Sequence, residues 1–339
     1  MKKILITGGA GFLGRYLIQN LLNNFDGLDI TILDLRENKN KLFDFSNFTN
    51  IKYLYNKNIC HYTDIENDFS GIDTVIHLAG LVSFSLKDKD RLQDINVTGA
   101  ENVLKASFEN NVLNFIHVSS VAALGYNNDP LNPINESFKF DWSIAKRKHK
   151  YYMLTKHEAD EKVLEYRNKG MNIAIVYPGL MLGPGDRTNS TNLINGIKQG
   201  KIAFNMPGGT NIIDVRDTAK GIAQLLKHNI INDEILLSGE NISFKEINKT
   251  IAEELGVNYP KKTLSKTLSS LLYYILLFAE FISKKPLPLT ADNVDSASKF
   301  RYFSNTKANK VLSWRPEINF RDTIKNTIEW MVNKNEFKR

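Results

Sequence analysis

The segment Gly8-Gly9-Ala10-Gly11-Phe12-Leu13-Gly14 restricts this 339-residue chain more than any other. It follows an apolar run, Ile4-Leu5-Ile6-Thr7, and precedes an apolar-periodic stretch from Tyr16 to Leu22. That order reads as strand, glycine turn, helix. Such a turn aims free backbone N–H groups and the positive end of a helix at an anion. Gly8 allows the tight turn, Gly11 the close approach of a pyrophosphate, and Gly14 close helix–strand packing. The spacing is G-x-x-G-x-x-G. The alternative to a nucleotide site is a glycine-rich turn that only packs tightly.

The rest of the first half repeats the alternation. Strands are expected at Lys3–Thr7, Asp29–Leu33, Ile51–Tyr55, Thr74–Leu78, Asn114–Val118 and Asn172–Tyr177. Helical patterns fall at Phe12–Asn23, Arg91–Asn110 and Tyr152–Asn168. Alternating strands and helices predict an α/β fold, a doubly wound parallel sheet covered on both faces. After Pro178 the pattern breaks into turn clusters, Gly183-Pro184-Gly185 and Pro207-Gly208-Gly209. Further helices are expected at Asp217–Lys227, Phe244–Leu255, Leu264–Ile282 and Asp322–Val332. The organisation expected is a nucleotide-binding core at 1–178, with a return around 212–238. A smaller, mostly helical substrate lobe takes 179–211 and 239–339.

The net charge is +7, but Lys and Arg are dispersed, with no basic arm and no nucleic-acid signature. Nucleic acid is therefore not an expected partner. Cys60 is the one cysteine, which excludes an intrachain disulfide and fits a cytoplasmic location. Lys2-Lys3 and the short apolar run after them lack the length of a signal peptide. The stretch Leu264–Ile282 carries only Lys266 and Glu280 as charges, flanked by Lys261, Lys262, Lys284 and Lys285. Its charge-free centre, Thr267 to Ala279, is too short to span a bilayer. It reads as an interfacial helix in peripheral contact with a membrane, or as a buried helix over a pocket or at a dimer contact. The basic run Lys146-Arg147-Lys148-His149-Lys150 reads as a solvated loop, or as a steering site for an anionic substrate.

Asp34 ends the second strand, 20 residues after Gly14. An acidic residue there accepts hydrogen bonds from ribose hydroxyls and repels a 2′-phosphate, which favours NAD. Arg36 keeps NADP open. Leu78-Ala79-Gly80, after the fourth strand, leaves room for a cofactor beside the backbone. Tyr152 and Lys156 stand four apart on one helical face. A lysine ammonium beside a phenol favours phenolate and brings an acid/base group towards neutral pH. Ser119-Ser120 ends the fifth strand, where a hydroxyl can meet a substrate carbonyl. No metal-ligand pattern is expected.

Together these residues, with Asn96-Val97-Thr98-Gly99, Pro178-Gly179, Val215-Arg216-Asp217-Thr218-Ala219 and Leu312-Ser313-Trp314-Arg315-Pro316, resemble the extended short-chain dehydrogenases/reductases. The resemblance runs from Met1 to about Met331 in family order. It is greatest to the dihydroflavonol-reductase and 3β-hydroxysteroid-dehydrogenase-like branch. It implies a Rossmann fold, Ser120 as the substrate-oxygen donor, Tyr152 as acid/base and Lys156 as its partner. It also implies Asn96 as a brace and Pro178 against the nicotinamide. The implied cofactor site comprises Gly8, Gly11, Phe12, Leu13, Gly14, Asp34, Arg36, Asn58, Ile59, Leu78, Ala79, Gly80, Tyr152, Lys156 and Pro178. A small-molecule substrate and a homodimer are implied as well.

The expected activity is carbonyl reduction or secondary-alcohol oxidation on a fairly apolar substrate. Two alternatives stand beside it: a nucleotide-sugar epimerase or dehydratase of the same superfamily, and a non-enzymatic NAD(P)-binding protein. Against the first, Leu180 occupies a position where sugar-nucleotide members carry a phosphate-binding Asn, and Val121 follows Ser120 where dehydratases carry an acid. Against the second, Tyr152 and Lys156 are both present.

Overall fold

A computed structural model describes residues 2–36, 43, 45, 47–229 and 232–337. In chain order, β1 (Lys2–Thr7), β2 (Leu28–Leu33), β3 (Ile51–Leu54), β4 (Thr74–His77), β5 (Asn114–Val118) and β6 (Asn172–Pro178) enter one sheet. β7 (Leu180–Leu182) and β8 (Gly209–Asp214) leave it, and β9 (Glu234–Leu237) returns to its edge. The order is β3-β2-β1-β4-β5-β6-β9, with every pair parallel. Strand order therefore reverses between β1 and β4, and a crevice opens there beyond the strand ends.

The strands are apolar because both faces are covered. In β1, Ile4 and Ile6 turn to one face and pack with Leu13, Leu17 and Leu21 of the helix Phe12–Asn24 and Ile222 of the helix Val215–Lys227. Leu5, between them, turns to the other face with Val103, Leu104 and Val163. The helix pattern expected at Arg91–Asn110 is continuous but not uniform: Lys89–Leu92 and Gly99–Glu109 are α-helical, and Gln93–Thr98 between them winds as π-helix. Such wide turns concentrate at functional sites.

The C-terminal part is less purely helical than expected. β8 pairs with β7, β10 (Glu240–Ser243) and β11 (Phe300–Arg301) in a small second sheet. Ile212 to Asp214 belong to that second sheet, while Ile213 packs with the main core cluster beside Val215 and Ile222. A separate apolar cluster of Leu182, Ile194, Ile212, Ile251, Phe320, Ile324 and Met331 fills this region. Asp214 joins the two parts. It caps the helix Val215–Lys227 through Arg216 N–H (2.9 Å), accepts from the Arg216 guanidinium (2.8 and 2.7 Å) and accepts from Thr323 Oγ1 (2.8 Å).

Candidate active site

The glycine turn shapes the first half of the site. Gly8 has φ +68°, and a Cβ there would lie 2.7 Å from Ala79 N, so the ends of β1 and β4 touch through backbone. A Cβ on Gly14 would lie 2.4 Å from Gly9 O, which fixes how closely the helix meets the turn. Gly11 caps the helix Phe12–Asn24 without a side-chain bond, so its first N–H groups stay available. These groups border a cavity of about 680 Å³. Its lining includes Gly8, Gly11, Phe12, Leu13, Gly14, Asp34, Asn58, Ile59, Leu78, Ala79 and Gly80, which come from four separate strand ends. An anion-binding helix terminus at one end and a carboxylate at the other suit a dinucleotide.

Asp34 accepts from Ala10 N–H at 3.2 Å and from Arg36 N–H at 3.4 Å. Burial raises its carboxyl above the usual value, against these backbone hydrogen bonds. Asn58 Oδ1 accepts from Cys60 N–H at 3.1 Å, which shapes the bend that carries Ile59 into the cavity. Arg36 is exposed and does not line the cavity. Lys57, His61 and Arg91 do line it, and the sequence reading missed them. Lys57 pairs with Asp68 at 2.8 Å and Arg91 with Asp88 at 2.6 Å. Their only sequence signal was proximity to Asn58 and to the Asn96 helix.

The second half of the site lies beyond that cavity, and neither Ser120, Tyr152, Lys156 nor Pro178 lines it. Ser120 follows β5, and its Oγ accepts from Ala122 N–H at 3.2 Å, opening a short 3₁₀ turn. Tyr152 and Lys156 occupy the first turns of the helix Tyr151–Asn168. Pro178 is buried at the end of β6. Asn96, in the π-helical stretch, accepts from Leu81 N–H (2.8 Å) and donates to Leu81 O (3.0 Å) and Thr155 Oγ1 (3.3 Å). It therefore ties the loop after β4 to the helix that bears Tyr152. The Phe84 ring meets the Tyr152 ring edge-on at 5.7 Å.

The charges differ from the sequence expectation. Burial raises the Tyr152 phenol, while a hydrogen bond with Ser120 and the positive charge of Arg301 lower it. Lys156 instead directs Nζ at Val118 O, 3.4 Å away, and burial lowers its pKa against the attraction of Asp160. The cation acting on the phenol is thus Arg301 of β11, from a strand no motif marked. Arg301 Nε is buried and makes no hydrogen bond among the described residues. Beneath the site, Asp160 is pushed up to about 6 by burial, and lies 3.3 Å from His117 Nε2. Burial and the charge of Lys156 keep His117 neutral at ordinary pH.

The basic run before Tyr152 is not a solvated loop. Trp142–Arg147 is a short helix capped by Asp141, and Lys150 is fully buried. Its Nζ contacts Asp292 (2.6 Å), Asp295 (3.0 Å) and Ser296 Oγ (2.9 Å). Burial acts to raise Asp295, but the charge and hydrogen bond of Lys150, and then Lys148, hold it below the usual carboxylate value. Among the described residues no cluster of His, Cys, Asp and Glu could hold a metal.

A parallel sheet with a glycine-turn cavity at its switch point, and a Ser–Tyr–Lys set beside it, defines an extended short-chain dehydrogenase/reductase. The chain belongs to the 3-beta hydroxysteroid dehydrogenase/isomerase family, whose model matches residues 5–217. It is 26% identical to the decarboxylating sterol-4-alpha-carboxylate 3-dehydrogenase of Schizosaccharomyces pombe, over 98% of each chain. Among solved structures it is similar to gox2253, with a TM-score of 0.78 and 26% identity over 100% of both chains. It also shares its fold with dTDP-glucose 4,6-dehydratase from Streptomyces venezuelae, solved with NAD bound, at a TM-score of 0.77 and 17% identity over 98% of each chain.

Proposed function

We propose that this protein is an NAD(H)-dependent oxidoreductase that interconverts a secondary alcohol and its carbonyl on a fairly apolar substrate. The observation that supports this reading is the hydrogen bond between Ser120 and Tyr152 after β5, with Lys156 Nζ 3.4 Å from Val118 O on the same strand. NAD, held by Gly8 to Gly14, Asp34, Asn58, Ile59 and Leu78 to Gly80, would accept or supply the hydride at the substrate carbon. Ser120 Oγ holds the substrate oxygen. In reduction Tyr152 Oη would give its proton to that oxygen, and in oxidation the tyrosinate would take the hydroxyl proton. Lys156, Asn96 and Pro178 fix the ribose, the catalytic helix and the nicotinamide edge. Asp34 supports NAD over NADP by repelling a 2′-phosphate, and exposed Arg36 stands outside the cavity. Leu180, which cannot donate to a phosphate, supports an apolar substrate over a nucleotide sugar.

Tyr152→Phe should lower turnover by about a thousandfold or more, the scale of a lost acid/base group, while NADH affinity stays within a few-fold. Unchanged turnover refutes the role of Tyr152. Calorimetry should give tighter NADH than NADPH binding, with Asp34→Ala narrowing the gap; tighter NADPH binding by the unaltered protein overturns the cofactor reading. Micromolar binding of a nucleotide sugar overturns the apolar-substrate reading.

A further inference from the structure

Tyr152, Lys156 and Asp160 stand four apart in the helix Tyr151–Asn168 and form one row along it. The proposed chemistry gives Asp160 no part, although it is buried, at 5% exposure. The helix's neighbouring acids are engaged elsewhere: Glu158 accepts from Gln93 Nε2 at 2.9 Å, and Glu161 lies 3.6 Å from His157 Nε2. Asp160 instead faces the sheet. Its Oδ1 lies 3.3 Å from His117 Nε2 of β5, and the hydroxyls of Ser119 and of Tyr177 on β6 favour its charged form.

The sheet side of Asp160 offers no positive charge. Burial and the charge of Lys156 keep His117 neutral, and His77, stacked on it at 5.5 Å, is neutral for the same reasons. Burial holds Tyr177 in its protonated form; its hydroxyl also lies 3.4 Å from Glu234, which pairs with Arg167 at 3.3 Å. On the helix itself, burial lowers His157. The cation that acts on Asp160 is therefore Lys156. At pH 7 the charged form of Asp160 burdens the fold, because burial raises it to about 6. Groups perturbed in this way concentrate at functional sites.

Lys156 is the residue with a use for that charge. Its ammonium is 7% exposed and donates to Val118 O at 3.4 Å. Burial acts against its charge, and Asp160 acts for it. Tyr152 supplies no negative charge, since burial raises its phenol. We propose that Asp160 is a positioning residue: its carboxylate keeps the buried Lys156 charged, so that the ammonium can hold the ribose of NAD. Asp160 does not line the cofactor cavity and acts through Lys156. Successive turns of the helix thus carry proton transfer, ribose binding and the charge that sustains the ribose contact. This inference rests on the ribose role of Lys156 in the proposed function.

NADH affinity, measured by fluorescence across neutral and alkaline pH, tests it. In the unaltered protein, affinity should fall at alkaline pH as Lys156 loses its proton. In Asp160→Asn, which keeps the shape and removes the charge, that fall should move down by about one pH unit or more. Asp160→Glu restores the charge and should return the fall to within about half a unit. Tyr177→Phe removes a neighbour of Asp160 but no charge, so its fall should stay in place. Lys156→Met should bind NADH roughly tenfold more weakly at neutral pH and lack the fall. An unmoved fall in Asp160→Asn, or an equal movement in Tyr177→Phe, overturns the proposal while leaving the ribose role intact. Undiminished NADH binding by Lys156→Met refutes the ribose role itself, and the proposal with it. Carbon-13 lysine spectra of the unaltered protein, with Lys156 assigned by its loss in Lys156→Met, give a check that no Asp160 variant has to fold for. Lys156 should be charged at pH 7, and a neutral Lys156 overturns the proposal.

Discussion

Lys150→Met should destabilise the protein by about 3–5 kcal/mol at pH 7, the usual cost of removing one partner from a buried ion pair. The site fixes that magnitude. The ammonium is fully buried, 2.6 Å from Asp292 and 3.0 Å from Asp295, which are themselves 4 and 7% exposed. At an effective dielectric of about 20, the two attractions amount to about 6 and 5.5 kcal/mol. Losing the ammonium's own desolvation cost, several kcal/mol, offsets part of this. Lys148, 3.6 Å from Asp295 and partly exposed, replaces little of the lost charge. The sign with pH is also determined. Asp295 is held below its ordinary 3.8, so in the unaltered protein its contribution is present above about pH 4 and is lost as pH falls through its lowered pKa. In the variant, burial acts on Asp295 without Lys150 and raises it, so the variant gains stability as pH falls towards 4. Urea unfolding followed by tryptophan fluorescence at pH 7 and near pH 4 measures both effects. A loss below about 1 kcal/mol at pH 7, or a loss that grows towards pH 4, refutes the reasoning.

Two further outcomes follow from the same structure. Asp160, raised to about 6 by burial, binds a proton in the folded state that the unfolded chain releases at 3.8. Stability from this group is full below pH 3.8 and is lost by about pH 6, at most about 3 kcal/mol, and Asp160→Asn should flatten that slope in urea titrations; an unchanged slope refutes it. Arg301→Met removes the cation that opposes the rise of the Tyr152 phenol, so the Tyr152 limb of the kcat/KM–pH profile should move to higher pH with NADH affinity unchanged. An unmoved limb would show that Arg301 does not act on Tyr152.

Much of the core was legible because burial on both sheet faces leaves short apolar runs with little ambiguity. The six expected strands of the first half lie within a residue of β1 to β6 at each end. The glycine turn was legible because Gly8 must adopt positive φ and Gly14 must meet Gly9, demands that only glycine meets cheaply. The motifs Val215–Ala219 and Leu312–Pro316 were visible as words, but their meaning is a contact: Trp314 Nε1 donates to Asp217 O at 3.1 Å. Lys150 was misread because a basic run resembles solvent-facing chain until Asp292, 142 residues away, is folded against it. Arg301 left no signal at all, since its effect on Tyr152 depends on where β11, paired with β8, is placed in the fold.

By itself the sequence determined the sheet and the glycine turn, because those depend on local periodicity and backbone freedom. The tertiary structure alone decided which charges act on Tyr152, where Lys150 finds its partners and which face of Lys266–Ile282 is left uncovered. Electrostatics and burial are set by what packs from distant parts of the chain, and no window of the sequence contains that information.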